Sequence, residues 1–88
     1  MESINKRYSW RRRPDGRLRR SYPCGGPWVE IVPIPGVTPV VYSVRGGRRP
    51  DGVDFATHAR PRRSAMLTGS HRFRAMVEAH RARGGASC

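Results

Sequence analysis

In the stretch SWRRRPDGRLRRSY, residues 9–22, arginines crowd both sides of a sharp turn and are interleaved with serine and aromatic side chains. A guanidinium is a planar fork of donors that grips phosphate oxygens two at a time and stacks on aromatic planes. This is chemistry for holding an anion. The whole chain shares the bias: 18 Lys and Arg stand against 6 Asp and Glu, a net charge of +12 on 88 residues, and Lys6 is the only lysine. A GC-rich genome would exchange lysine for arginine, but it does not account for the excess of positive charge. So strong an imbalance repels itself and invites a polyanion, either nucleic acid or another acidic surface.

Other chemistries find little to work with. Among the six carboxylates only Asp51 and Asp54 lie close in sequence, which argues against a paired-acid or two-metal centre. Cys24 and Ser64 have no base and orienting group beside them, so no nucleophilic triad is expected. Cys24, His58, His71, His80 and Cys88 are scattered, with no CxxC and no histidine pair at ligand spacing; neither a metal nor a cofactor is expected. Two cysteines also make a poor disulfide framework. The string GSHRFR, residues 69–74, resembles the histidine motif of HicA-type messenger-RNA interferase toxins, which implies a small RNA-binding fold with His71 as its catalytic group. The resemblance covers six residues. In that family strands follow the histidine, whereas the residues after His71 read as helix, so His71 is expected on a surface and the chain is expected not to be an enzyme.

The charge distribution sets the organisation. Lys6 to Arg20 holds eight basic residues against Asp15, Tyr22 to Ser43 holds no basic residue and one acid, Glu30, and arginines resume at Arg45. A neutral centre between basic arms reads as the core. WVEIVPI and VVYSV are rich in Val, Ile and aromatics, with the turn cluster PGVTP between them. Both sides of this pair are largely apolar, so burial on both faces is expected. Pro33, Pro35 and Pro39 belong at edges, strand ends or bulges. The predicted core comprises Trp28, Val29, Ile31, Val32, Val40, Val41, Tyr42, Phe55, Phe73, Met76 and Val77.

The pentapeptide RRPDG occurs twice, at residues 12–16 and 48–52. In the first copy Pro14, Asp15 and Gly16 predict a bulged hairpin turn, with Arg11 facing Arg19 and Arg12 facing Leu18. Alternation then puts Arg11, Arg13, Arg17 and Arg19 on one hairpin face and Tyr8, Trp10, Arg12, Leu18, Arg20 and Tyr22 on the other. Four arginines opposing one another carry an electrostatic cost that an anion along that face would offset. The second copy predicts a similar turn holding Arg45, Arg48 and Arg49 on a mobile tip, followed by a short strand with Val53, Phe55 and Thr57 on one side.

At the C-terminal end, Ser70 as N-cap, Gly84 as stop and Phe73, Met76, Val77 and His80 at helical spacing predict a helix over 70–83. Its arginines, Arg72, Arg74, Arg81 and Arg83, are expected to flank the apolar stripe. The fold class expected is α+β and β-rich: a small antiparallel sheet or barrel of consecutive hairpins closed by one C-terminal helix. One small basic domain over 1–88 would contain an arginine-rich hairpin at 6–22, a β core at 27–59 and that helix.

The function expected is non-catalytic binding of RNA or DNA through the phosphate backbone. The contacts would come from Arg11, Arg12, Arg13, Arg17, Arg19, Arg20 and Trp10 of the hairpin, with Arg45, Arg48 and Arg49. The alternative is a structural component of a viral particle or ribonucleoprotein, gripping nucleic acid or neighbouring subunits. No small-molecule substrate is expected. MESINKRYSWRRR lacks the apolar core of a secretory signal and no window approaches a membrane span, so a cytoplasmic location, or a particle assembled there, is expected.

Overall fold

Both copies of the pentapeptide make the same local structure. The Gly16 N–H donates to Arg13 O at 3.0 Å and the Gly52 N–H to Arg49 O at 3.2 Å, so Arg-Pro-Asp-Gly closes a β-turn each time. The two copies part ways after the glycine. Gly16 takes φ +89° and returns the chain directly into a hairpin, with the Arg13 N–H donating to Arg17 O at 2.8 Å. That is the left-handed residue a bulged hairpin requires. After Gly52 the chain runs on two residues before re-entering the sheet, where the Asp54 N–H donates to Gly46 O at 2.8 Å.

The computed structural model describes residues 8–23 and 25–84; Lys6, Arg7, Cys24 and Cys88 lie outside them. Five strands succeed one another in order: β1 (Arg11–Arg12), β2 (Leu18–Ser21), β3 (Trp28–Pro33), β4 (Tyr42–Gly47) and β5 (Phe55–Ala59). Each pairs antiparallel with the next, giving the sheet order β1-β2-β3-β4-β5. The sheet is open and is not closed into a barrel. The hairpin register matches the expectation, with Arg11 opposite Arg19 and Arg12 opposite Leu18. Pro33 ends its strand, and Pro35 and Pro39 fall in the β3–β4 connection, where no ladder donor is needed.

Helix α1 (Arg62–Ala82) packs on one face of the sheet. It begins eight residues before the expected start. Its buried positions, Ala65, Gly69, Phe73 and Val77, recur every four residues and meet Leu18, Val29, Ile31 and Val44 of the sheet in one core cluster. Ser70 is not the N-cap the sequence indicated, and both it and Gly69 lie inside the helix because tertiary contacts use them. A Cβ on Gly69 would stand 2.9 Å from Trp10 Cη2 and 3.1 Å from Val29 Cγ1, so the missing side chain admits the indole. The Ser70 hydroxyl accepts from Arg20 Nη1 at 2.7 Å instead of capping a helix. Gly84, at φ +77°, is the stop the sequence indicated, its N–H donating to Arg81 O.

The core differs from expectation in its membership. Val40 is 45% exposed, because Pro35, Gly36 and Pro39 keep residues 35–40 out of the ladder; Val53, expected beside Phe55 in a short strand, precedes β5 and is 58% exposed. Leu18, Tyr22, Val44 and Ala65 are buried in their place. Alternation decides this: Leu18, Ile31 and Val44 stand in one cross-strand row beneath the helix.

Gly69→Ala would gain about 1 kcal/mol of helix propensity but overpack the indole and Val29 at a cost of about 1–3 kcal/mol. The expected result is a lower urea midpoint for Gly69→Ala. The loss should be smaller when measured in a Trp10→Leu background, since the nearest clash is then relieved.

Candidate nucleic-acid interface

The face of the sheet away from α1 is covered by no other element among the described residues. Across it run Arg11, Arg19, Glu30 and Arg45, directly opposite one another on β1 to β4. Arg17 precedes β2 on the same side, and Trp28, Val32, Ser43 and His58 complete the face by alternation. Glu30 lies in the segment expected to be buried on both faces, and it is buried, at 4% exposure, but by arginines and not by a second apolar layer. Arg17 Nη1 donates to Glu30 Oε1 at 3.3 Å, Arg19 Nη1 to Oε2 at 3.3 Å and Arg45 Nη2 to Oε1 at 2.8 Å. The Arg19 guanidinium also lies 4.6 Å above the Trp28 ring and shields it. Arg45 Nε is buried and meets no acceptor among the described residues.

Burial by itself would push the Glu30 carboxyl up. The hydrogen bonds from Arg45 and Arg19, with the charges of Arg45 and Arg17, outweigh it and hold the carboxyl below its ordinary value. Three guanidinium groups on one carboxylate leave an excess of positive charge, and Arg11 adds to it. Arg17, Arg19 and Arg45 are held in place yet keep 40%, 28% and 40% of their side-chain surface open to solvent.

The ten side chains expected to contact nucleic acid therefore separate into groups. Arg11, Arg17, Arg19 and Arg45 share the open face, and Arg13 stands exposed at the turn beside it. Arg12 alternates to the helix side, near Leu18 and Arg62. Arg20 is internal: it is 3% exposed, its Nε donates to Tyr8 O at 2.7 Å, and its guanidinium lies 5.1 Å from the Trp10 ring and 5.4 Å from Phe73. Burial pulls its pKa down from the usual guanidinium value. Trp10 packs on the core beside Gly69.

Arg45 is a strand residue, not part of a mobile tip. Arg48 and Arg49 occupy the second turn, where Asp54 accepts from the Arg48 N–H at 2.6 Å and Arg49 O accepts from Trp28 Nε1 at 2.7 Å. Register puts the two pentapeptide turns at opposite ends of the sheet, the first beyond Leu18 and the second beyond Gly47.

Sequence reasoning missed Glu30 as the hub of the basic face. The available signal was a lone acid in an apolar strand, on the parity of Trp28 and Val32. Among the helix arginines, Arg72 lies over Phe55 at 5.1 Å and Arg81 Nε donates to Tyr22 Oη at 3.3 Å, so these two cover the stripe as expected. His71 is exposed within α1. No family model matches the chain, and no curated protein or solved structure shows significant similarity to it.

The lowered carboxyl of Glu30 makes stability depend on pH. Its contribution is complete above about pH 4.3, the ordinary Glu value, and is lost as pH falls through the lower folded value. Glu30→Gln should cost about 2 kcal/mol at pH 7, because it leaves three clustered guanidinium groups without their anion. In urea titrations from pH 7 to pH 2, the stability difference between parent and variant should shrink steadily in the acid range.

Proposed function

We propose that this protein is a non-catalytic binder of nucleic acid that grips the phosphate backbone on the open face of its sheet, with little reading of sequence. One observation carries the reading: Arg11, Arg17, Arg19 and Arg45 are gathered on an uncovered face, three of them pinned by Glu30. Pinned side chains lose less freedom on binding than those of a loose basic tail. Among the described residues His58 is the exposed ring on that face, Trp28 lying beneath Arg19, and the arginines outnumber it, which favours contact with phosphates over contact with bases. RNA and DNA fit equally. A second reading, a structural component of a large assembly such as a ribonucleoprotein or viral particle, is favoured by the exposed Val40 and Leu67 beside Arg60, Arg62 and Arg63, a surface suited to a neighbouring subunit.

Binding to mixed-sequence RNA or DNA should weaken steeply with salt. Replacing Arg11, Arg13, Arg17 and Arg19 with serine should make the slope of log K against log salt shallower by about 3. Only Arg17 and Arg19 should also cost stability, since they ion-pair with Glu30. Replacing Arg72, Arg74, Arg81 and Arg83 should leave most of the slope intact and lower the melting temperature. A larger loss of slope from the helix set would assign the surface to the wrong side of the protein. A salt-independent response in the parent chain would reject nucleic-acid binding altogether. His71→Ala should leave an RNA-cleavage assay unchanged.

A further inference from the structure

The second pentapeptide turn lies far from the first, and it builds something of its own. Between this turn, the β2–β3 connection and the end of α1 is a cleft of about 720 Å³, walled by Arg48, Arg49, Asp54, His80 and Arg83 with glycines 25, 52 and 84. That volume lies within the range of small-molecule sites, roughly 300–1,000 Å³. His80 Nε2 is buried and has no hydrogen-bond partner among the described residues. Having no accessible surface, that nitrogen adds polarity to the wall but does not itself reach a ligand atom.

The unspent valences of the cleft are donors. Arg49 and Arg83 make no ion pair among the described residues. The groups that would repel an anion are already engaged: Asp54 accepts from the Arg48 N–H, while the helix-end carbonyls of Ala79 and Arg81 accept from Arg83 and Gly84. Arg48 is shared more loosely, its Nε and Nη2 each 3.4 Å from Asp54 oxygens. With three arginines against one carboxylate, the wall carries a net charge of two positive units before any charge on His80.

We propose that this cleft binds a phosphate monoester, with the exposed guanidinium groups of Arg49 and Arg83 clamping its oxygens. The room beyond the phosphate fits an attached nucleoside, so the ligand is a nucleotide or the phosphorylated end of a polynucleotide. The site is separate from the open face and stands whether or not that face binds nucleic acid.

The test is NMR on the isotopically labelled full chain, titrated with inorganic phosphate against sodium chloride of matched ionic strength. Saturable shifts should concentrate at the His80 ring and the amides of Gly25, Gly52 and Gly84. Affinity should fall about tenfold or more in Arg49→Ser/Arg83→Ser and hold in the charge-matched control Arg60→Ser/Arg74→Ser.

A 5′-phosphorylated oligonucleotide and its 5′-hydroxyl counterpart, compared with a mononucleotide, distinguish the two sources. Shifts at His80 with the phosphorylated oligonucleotide assign the site to chain ends, and shifts with the mononucleotide alone assign it to the free ligand. Non-saturating shifts spread over every arginine-bearing segment, or an Arg49→Ser/Arg83→Ser variant that titrates like the parent, would overturn the proposal.

Discussion

Like charges on adjacent strands repel, and this sheet tolerates them by setting one carboxylate beneath three guanidinium groups. Glu30 sits mid-strand on the central β3, where its neighbours across the ladder are Arg19 and Arg45. Cross-strand pairs of opposite charge stabilise a sheet where like charges destabilise it. Because the carboxylate is buried and the arginines reach outward, the face stays basic towards solvent while its interior is neutralised. The arginine stems also give Trp28 and Glu30 the cover that a second layer of structure would otherwise supply. Without Glu30 the face would have to disperse its charge, and the pinned geometry would go with it.

The remaining arginines follow the same division of labour by position. Arg20 replaces an apolar core residue and is accepted because Tyr8 O and the Ser70 hydroxyl satisfy it while Trp10 and Phe73 present aromatic faces. It ties the hairpin to the middle of α1, a link between residues fifty positions apart. Arg72 and Arg81 roof Phe55 and Tyr22 at the sides of the helix. A chain this basic has few uncharged polar side chains to spend on such tasks, and guanidinium serves because it is planar and weakly hydrated.

The two pentapeptides show how little local chemistry says about placement. Pro and Asp followed by Gly make the same hydrogen-bonded turn twice, yet one copy opens onto the edge of the basic face and the other helps wall a cleft at the opposite end of the sheet. The residue after the turn separates them. Arg17 returns straight into the ladder, whereas Val53 leads on to Asp54, which is drawn back to the Arg48 amide and Gly46.

Much of the architecture was legible from local rules. The PDG turn with its Gly16 bulge, the register of Arg11 on Arg19, the two central β segments and the glycine that ends the helix all rest on short-range sterics and alternation, which sequence carries directly. The helix start was not legible, because Gly69 and Ser70 are breakers by propensity and are overruled by Trp10 packing on one and Arg20 bonding to the other. The same holds for the interface. Sequence announced a surplus of arginine, but whether a guanidinium faces solvent, roofs a ring or lies in the core depends on strand parity, on which face the helix covers, and on partners far along the chain. Those long-range contacts exist only once the chain has folded. Alternation alone sends Arg19 and Arg20, adjacent in sequence, to opposite sides of the sheet, and those contacts give the two their unrelated tasks.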